Sequence, residues 1–391
     1  MDVKQAVSRR GFMGGLAAVV GMLGVSPERL FAGGGQVQDA AARQASMTAY
    51  DGFAKLAANE NNWGPPQSAL DAMAGAMKYA NRYGYPDGGI VEAIAAHHGV
   101  KPANILLGAG SGEILKVVAL TTLEGNKKVI GVQPSFAAVF DVATGLRTDS
   151  IQLPLDRDYR QNIPAMIEAT KRNYRDVGLV YLCNPNNPTG VPVSKDEVRQ
   201  LLDGIPADVP VLIDEAYHHY VEDPAYATSV PYVLEGRNVV IARTFSKISA
   251  LAGMRLGYAV APAGIIDRMR PHSVASINAI VKWGGVAALA DTASQARIKR
   301  MTIEQREKTS REIEALGYDV IPSQTNFFMV AIHRQVQPVI EEFKQRGVLV
   351  GRPFPPMLEH LRVSVGTPEE MDRFMAAFRE IFPARTTTAQ K

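Results

Sequence analysis

Short apolar runs alternate with helical segments along the middle of this 391-residue chain. Each run is only a few residues long, and the segments between the runs carry apolar side chains at helical spacing. Strands that are apolar on both faces are typical of a parallel sheet that helices cover on both sides. The sequence therefore predicts an α/β fold with a mostly parallel central sheet covered by helices. The predicted strands are residues 105–107, 129–132, 150–153, 179–182, 209–213, 239–242 and 256–260.

The pattern changes after residue 272. Residues 274–316 have the spacing of one or two long helices, and shorter strands and helices follow them. We expect a smaller α/β domain, built from the C-terminal part and the N-terminal arm, beside the larger one. The predicted segments are a signal peptide at 1–32, an N-terminal arm at 33–80, a large domain at 81–272, and a connecting helix with the small domain at 273–391.

Charge and cysteine content exclude several classes of protein. The 42 basic and 39 acidic side chains leave a formal net charge of +3, so the chain has no basic field for nucleic acid. A single cysteine, Cys183, excludes an internal disulfide framework. The seven histidines form no Cys/His cluster, so no metal site is predicted.

The N-terminus has the features of an export signal. Arg9 and Arg10 precede a glycine-rich apolar run at 12–25, which is shorter than the roughly 20 residues that span a bilayer. Paired arginines before such a run are typical of a twin-arginine signal, so we expect a periplasmic protein without a stable membrane anchor. Cleavage after Ala32 or after Ala42 stays open. The alternative is a cytoplasmic protein with a disordered tail.

A lysine stands in an unusual setting between Thr244 and Tyr258. Lys247 follows the apolar run 239–242, lies among small residues and hydroxyls, and precedes Arg255 by eight positions. Burying an ammonium group is costly unless the group is paired or neutralised. An amine held ready to bond an aldehyde explains the choice of residue. The hydroxyls and Arg255 are then candidate phosphate ligands.

Three further polar motifs follow predicted strands. Residues 108–113 (Gly-Ala-Gly-Ser-Gly-Glu) open a helix whose free N–H groups suit a phosphate, but they lack the third glycine of a dinucleotide site. Residues 184–190 (Asn-Pro-Asn-Asn-Pro-Thr-Gly) form a rigid turn that presents an amide. Asp214 leaves an apolar strand and needs a cationic partner, such as a pyridinium nitrogen. Ligands of open α/β sheets bind beyond the carboxyl ends of strands, so we expect these motifs to meet there.

The order of these motifs resembles that of the fold-type-I pyridoxal-phosphate aminotransferases. Two further loops narrow the resemblance to the branch that contains the histidinol-phosphate aminotransferases, and it covers residues 50–383. The matching motifs are Asn-Glu-Asn at 59–61, Arg-Tyr-Gly-Tyr-Pro at 82–86, residues 108–113, residues 184–190, Asp-Glu-Ala-Tyr at 214–217, Ser246-Lys247, Arg255 and Arg362.

The resemblance implies pyridoxal 5′-phosphate as the cofactor and a role for each matching residue. Lys247 would bond the cofactor aldehyde and carry the proton of the substrate Cα. Asp214 would keep the ring nitrogen protonated, and Tyr217 and Asn187 would bind the ring oxygen. The remaining cofactor contacts that it implies are Gly110, Ser111, Gly112, Thr244, Ser246 and Arg255 at the phosphate, Phe136 stacked on the ring, and Tyr85 from the other subunit of a homodimer.

The same resemblance implies an amino donor and a 2-oxo acid, such as 2-oxoglutarate, as substrates. Arg362 would hold the α-carboxylate with two parallel hydrogen bonds, which favours transamination over decarboxylation. Asn187, Asn61 and Arg352 are predicted as further substrate contacts. Arg352 stands one residue later than the arginine with which histidinol-phosphate enzymes bind the substrate phosphate, and such a shift reverses side-chain direction in an extended segment. The donor therefore stays open between histidinol phosphate and an aromatic or other amino acid.

Three other functions are alternatives to the transaminase. A decarboxylase or lyase acting on an amino acid shares the cofactor site. A non-catalytic pyridoxal-phosphate-binding regulator resembles this chain less, because such regulators carry a fused DNA-binding domain and no stretch here resembles one. An NAD-dependent enzyme is disfavoured by the glycine spacing at 108–113 and leaves Lys247 unexplained.

Overall fold

The structure is a computed structural model and describes residues 50–274 and 276–385. The predicted signal peptide at 1–32 and residues 33–49 of the predicted N-terminal arm lie outside the described residues. The chain forms two compact units, Met1–Phe53 and Ala54–Lys391, and all elements named below belong to the second. The predicted domain boundaries at 80/81 and 272/273 stay a prediction.

Three sheets are present among the described residues. A seven-stranded sheet has the order β2-β8-β7-β6-β5-β3-β4, a three-stranded sheet has the order β12-β10-β9, and β1 pairs with β11. The strands are β1 (Ala54–Leu56), β2 (Ile105–Gly108), β3 (Lys128–Gln133), β4 (Ser150–Pro154), β5 (Val177–Cys183), β6 (Val211–Asp214), β7 (Val239–Thr244), β8 (Gly257–Val260), β9 (Val320–Ile321), β10 (Phe327–Ala331), β11 (Val348–Val350) and β12 (His360–Ser364).

The strands of the large sheet are mostly parallel, as predicted. β8 runs antiparallel to β2 and β7, and the remaining neighbours are parallel. Alternate residues of the central strands enter two separate cores, with Leu182 and Ile213 on one face and Tyr181 and Leu212 on the other. A sheet that is buried on both faces explains the continuous apolar runs in the sequence. The α/β class with a mostly parallel, covered sheet is confirmed.

Helices connect most of the strands. Side-chain caps define several of their starts: Ser194 and Glu197 form a capping box before one helix, and Thr367 and Glu370 form another. The α-helices of the second unit are α1 (Gln67–Ala76), α2 (Ile90–His98), α3 (Ser111–Thr122), α4 (Ala138–Gly145), α5 (Ile163–Arg172), α6 (Lys195–Gly204), α7 (Val230–Leu234), α8 (Ala263–Met269), α9 (Ala279–Ala290), α10 (Thr292–Ala315), α11 (Val336–Gln345) and α12 (Pro368–Ile381).

Two features of the smaller sheets depend on distant pairing. β1 is only three residues long and pairs in parallel with β11, joining Ala54 to Val348. Its sequence carries no strand signal of its own, so this strand was not predicted. The segment predicted as one or two helices is two, α9 and α10, because the Asp291 side chain caps α10 by accepting the Ser294 N–H.

The described residues contain neither a membrane-spanning helix nor a cluster of metal-ligating side chains. Among residues 50–274 and 276–385, no helix has the length and apolar character needed to cross a membrane. Over the same ranges, no group of three or more His, Cys, Asp or Glu side chains is arranged to hold a metal ion.

Candidate active site

A cavity of about 460 Å³ lies where β5, β6 and β7 end. The last residues of these strands are Cys183, Asp214 and Thr244, and all three line the cavity. This is the edge at which open α/β sheets bind ligands. The sequence-predicted residues that the fold brings to the cavity wall are Ser111, Gly112, Phe136, Asn187, Asp214, Tyr217, Thr244, Ser246, Lys247, Arg255, Arg352 and Arg362.

One end of the cavity is built for an anion. Ser111 and Gly112 form the start of α3, where unpaired backbone N–H groups and the positive end of the helix dipole lie. Gly110, the preceding residue, has φ 80°, and a Cβ placed there would lie 2.3 Å from Arg255 Nη2. Only glycine therefore lets the Arg255 guanidinium approach the helix start this closely.

Two hydroxyls complete this end. Thr244 Oγ1 donates to Ser246 Oγ at 2.8 Å and accepts the Ser246 N–H at 3.0 Å. Arg255 donates to the carbonyl oxygens of Ala252 and Ala109 at 2.8 and 3.0 Å, which fixes its guanidinium beside the helix start. A guanidinium, two hydroxyls and a helix N-terminus together suit a phosphate group.

Lys247 projects into the middle of the cavity. Its Nζ donates to the carbonyl oxygens of Asn59 and Ala58 at 2.8 and 3.3 Å and lies 5.5 Å from the centre of the Tyr217 ring. Burial, and then the nearby Arg362 guanidinium, lower the pKa of Lys247 to about 8. A substantial fraction of the amine is therefore neutral near physiological pH, as a nucleophile and base requires.

The Asp-Glu-Ala-Tyr motif divides between two faces of the sheet. Asp214 is 3% exposed and faces the cavity, where it accepts the Ala216 N–H at 3.2 Å. Burial raises the pKa of Asp214 to about 7, against the opposing effects of the Ala216 N–H and Lys247. Glu215 instead pairs with the buried Arg243 at 2.6 Å. One carboxylate is thus a candidate functional group and the other is part of the packing.

Tyr217 and Asn187 form one wall of the cavity. The Tyr217 hydroxyl accepts from Asn59 Nδ2 at 3.1 Å and from Asn187 Nδ2 at 3.5 Å. Burial raises the pKa of Tyr217, so the phenol is neutral and can donate its own proton to an oxygen in the cavity.

Arg362 adjoins this wall and is 6% exposed. Its Nη1 donates to Asn187 Oδ1 at 2.8 Å and its Nη2 donates to Ala57 O at 2.6 Å, while its Nε is buried without a partner. Burial lowers the pKa of Arg362 to about 10, so the group stays charged at physiological pH. A buried guanidinium with an unpartnered N–H is a site for a carboxylate.

Arg352 also reaches the cavity, although it is shifted by one residue. Its guanidinium carbon lies 4.4 Å from the centre of the Phe354 ring, and that of Arg362 lies 4.5 Å from the same point. Gly351 explains the shift, because a Cβ at this position would lie 2.8 Å from Arg362 O and 3.0 Å from Arg362 Cβ. An arginine at 351 would displace Arg362.

Three of the predicted site residues lie elsewhere. Gly110 is the N-cap residue of α3 and does not itself line the cavity, and the Asn61 amide donates to Ile248 O at 3.0 Å instead of lining it. Tyr85 is 80% exposed on the surface of the chain. A contact from Tyr85 to a second subunit stays a prediction.

The structure adds residues to which the sequence analysis assigned no role in the site. Asn59 and Glu60 line the cavity, and Asn59 adopts φ 53°, which lets its carbonyl meet Lys247. Cys183 is buried and also lines the cavity. Phe354 joins them from a proline-rich loop. Two features of the sequence could have pointed to these residues: the 59–61 motif, and the position of Cys183 directly before the 184–190 motif.

These groups fit pyridoxal phosphate. The anion end of the cavity can bind its phosphate, and the neutral fraction of the Lys247 amine can bond its aldehyde. The buried Asp214 carboxylate can pair with its ring nitrogen. Phe136 lies at the cavity wall and is 36% exposed, so an aromatic face is available to the ring. The sheet and this set of groups define the fold-type-I class of pyridoxal-phosphate enzymes.

Comparison with known proteins gives the family. Residues 52–378 match the family model of aminotransferase class I and II, and the chain belongs to this family. It is a pyridoxal-phosphate-dependent aminotransferase, and the prediction drawn from the motifs is confirmed.

Three relatives show how far the similarity extends. The chain is 37% identical to the histidinol-phosphate aminotransferase of Moorella thermoacetica, over 84% of this chain and 85% of that protein. It is 35% identical to the aromatic amino acid aminotransferase of Rhodococcus jostii, over 84% and 90%. The histidinol-phosphate aminotransferase of Sinorhizobium meliloti, solved with pyridoxal 5′-phosphate, superposes with a TM-score of 0.76 at 26% identity, over 84% and 91%.

Proposed function

We propose that this aminotransferase moves an amino group between a donor that carries an anionic group and a 2-oxo acid such as 2-oxoglutarate. The observation that carries the proposal is the arrangement of Arg362 and Arg352, whose guanidinium groups both pack on Phe354 at the cavity wall. Two cationic groups beside the reactive amine suit a substrate with two anionic groups. Dicarboxylates have two such groups, and an amino-alcohol phosphate has one phosphate whose charge of about −1.5 to −2 can pair with two guanidinium groups.

The site residues then have separate tasks. The bound cofactor supplies an aldehyde for the amino group and a ring that accepts electrons. Arg362 orients an amino acid substrate through its α-carboxylate, and Lys247 Nζ takes the proton from the substrate Cα. Asp214 holds a proton at the ring nitrogen, and Tyr217 with Asn187 binds the ring oxygen.

The donor is proposed from the relatives and from Arg352 together. The Moorella thermoacetica relative is named for histidinol phosphate and the Rhodococcus jostii relative for aromatic amino acids. Arg352 is exposed at the rim and can bind a phosphate, while Phe354 beside it offers an aromatic surface. Histidinol phosphate and aromatic amino acids are therefore the donors to test first.

Replacing Arg352 with alanine separates these donors. For histidinol phosphate we expect kcat/KM to fall by about 10- to 100-fold, the effect of losing one charged hydrogen-bonding partner. For phenylalanine we expect a change within about threefold, because that side chain has no anionic group for Arg352 to bind. The measurement is the single-turnover half-reaction of each donor, followed by the absorbance of the bound cofactor.

A second assay measures the products that the wild-type protein forms with and without an amino acceptor. Glutamate should form only when 2-oxoglutarate is present. Release of carbon dioxide from the donor without any need for an acceptor would show a decarboxylase, and this result would overturn the proposal. Equal losses for both donors in the Arg352 variant would remove Arg352 from specificity while leaving the transaminase assignment intact.

We also propose a homodimer in which Tyr85 serves the partner's cofactor. Support comes from the exposure of Tyr83 and Tyr85, at 100% and 80%, on a loop anchored by a hydrogen bond from Trp283 Nε1 to Pro86 O at 3.2 Å. Light scattering should give twice the chain mass, and Tyr85→Phe should weaken cofactor binding without changing that mass. A monomer that binds the cofactor normally would contradict this arrangement.

Export by the twin-arginine route remains a further proposal, supported by Arg9, Arg10 and the apolar run that follows them. Replacing both arginines with lysine should retain the full-length protein in the cytoplasm, because the pair is the recognised feature of the signal. Cell fractionation and immunoblotting measure the outcome. Replacing Lys4 and Arg29 instead should leave export unchanged. Export of the twin-lysine variant at the wild-type level would exclude this route.

A further inference from the structure

The surroundings of Asp214 do little to stabilise the negative charge that its proposed role requires. Its carboxyl group is buried at the end of β6, and the Ala216 N–H contacts it at 3.2 Å. Burial disfavours the ionised form, yet pairing with a protonated ring nitrogen needs a carboxylate. This requirement rests on the proposed function, and it means that a further group must hold Asp214 in its ionised form.

Tyr181 lies beside Asp214 on the neighbouring strand. Cys183 is the register partner of Asp214, and Tyr181 stands two residues before Cys183, so all three side chains lie on the same face of the sheet. Tyr181 is 1% exposed, and its ring packs edge-on against Phe140 with the centres 5.8 Å apart. Its hydroxyl is buried without an assigned hydrogen-bond partner and faces Cys183 and Asp214.

Of the two neighbours, Asp214 is the better acceptor. A thiol sulfur accepts hydrogen bonds weakly, and the Cys183 thiol itself donates to Pro185 O at 3.5 Å. A carboxylate has several free lone pairs, and a hydrogen bond to a charged group contributes more than one to a neutral group. A buried hydroxyl left without a partner is costly, so the same hydrogen bond relieves both residues.

We propose that Tyr181 is a positioning residue, whose hydroxyl donates to the Asp214 carboxylate and keeps it ionised and aimed at the ring nitrogen. The other titratable groups that face Asp214 are Cys183 from β5, its own neighbours Glu215 and Tyr217, and Lys247 from the loop after β7. Lys247 Nζ already donates to the carbonyl oxygens of Ala58 and Asn59, whereas the Tyr181 hydroxyl has no other hydrogen-bond partner among the described residues.

Tyr181→Phe tests the proposal, because it removes the hydroxyl and leaves the ring packed on Phe140. The dissociation constant for pyridoxal phosphate should rise by about tenfold, the effect of one hydrogen bond to a charged group. Without its donor Asp214 becomes a weaker acid, so the pH below which cofactor affinity falls should move up by about one unit. Fluorescence titration of the full chain with pyridoxal phosphate, repeated across pH, measures both effects.

Tyr220→Phe is the matched control. Tyr220 is 0% exposed, and its hydroxyl also lacks a partner. This variant should bind the cofactor within about twofold of wild type, with the same dependence on pH. In an Asp214→Asn background, Tyr181→Phe should add nothing to the loss of affinity. A loss that persists unchanged in that background, or that Tyr220→Phe reproduces, would overturn the proposal.

Thermal unfolding gives a readout that needs no cofactor. The pKa of Asp214 is raised in the folded chain, so the stability that this group contributes is lost as pH rises through about 7. Removing the hydroxyl enlarges that loss, so Tyr181→Phe should lower Tm by about 2 °C more at about pH 8.5 than at about pH 6. The difference should vanish in the Asp214→Asn background. If the chain fails to bind pyridoxal phosphate, the proposed function is wrong. The role of Tyr181 is then decided by the comparison of Tm values alone.

Discussion

Replacing Lys247 with methionine is expected to lower kcat for transamination by about 10⁴-fold while the protein still folds. The side chain is the amine that reaches the centre of the cavity, and burial with Arg362 nearby keeps a fraction of it neutral. Methionine has a similar length but can neither bond an aldehyde nor move a proton. Glutamate formation from 2-oxoglutarate measures the rate. Borohydride reduction followed by mass spectrometry of peptides should place the cofactor on Lys247 in the wild-type protein only.

The control for this substitution is Lys299→Met. Lys299 Nζ donates to the carbonyl oxygen of Val221 at 2.8 Å and is part-buried, as Lys247 is, but it does not line the cavity. It should keep an activity within about threefold of wild type. The assignment of Lys247 is wrong if its methionine variant keeps more than about a tenth of the activity, or if borohydride attaches the cofactor to another lysine.

The second large effect is expected from Arg362→Ala. Its guanidinium is buried, carries an unpartnered Nε and holds Asn187, so its loss removes the carboxylate site and loosens one wall. We expect kcat/KM to fall by about 10²- to 10³-fold for all amino acid and 2-oxo acid substrates, with the cofactor still bound. Arg362→Lys should recover little, because an ammonium cannot form two parallel hydrogen bonds to a carboxylate. Half-reaction rates across a set of donors measure the effect.

Comparison with Arg352→Ala shows whether the two arginines have separate tasks. Loss of Arg362 should affect every substrate with an α-carboxylate, whereas loss of Arg352 should affect those with a phosphate or with a second carboxylate. A normal half-reaction of phenylalanine in Arg362→Ala would place the carboxylate site elsewhere. Loss of the bound cofactor in this variant would instead assign Arg362 to the cavity wall, because its bond to Asn187 would then be the important one.

Much of the site could be predicted from local sequence. Lys247, Asp214 and the 108–113 motif each follow an apolar strand, and the carboxyl ends of parallel strands meet at one edge of the sheet. A helix start after glycines likewise has local causes, since Gly110 adopts a positive φ that other residues avoid. For these groups, chain position along a strand or helix already implies position in the fold.

Contacts between distant segments could not be predicted in this way. The carbonyl of Asn59 meets Lys247 from 188 residues away, and the amide of Asn187 meets Arg362 from 175 residues away. Asn61 was expected at the substrate, but packing brings its amide to Ile248. Such contacts depend on how separate elements pack against each other and on which way each side chain turns, and no local pattern encodes either.

The sequence indicated the fold class through its apolar runs and the reactive amine through the residues around one strand end, and the order of the motifs indicated the cofactor by resemblance to a family. The tertiary structure decided the remainder. It placed Arg352 at the cavity despite the one-residue shift, since Gly351 leaves room for Arg362, and it set the Tyr181 hydroxyl facing Asp214. Both outcomes follow from close packing between segments that are distant in sequence, where a single Cβ or hydroxyl decides which groups can meet.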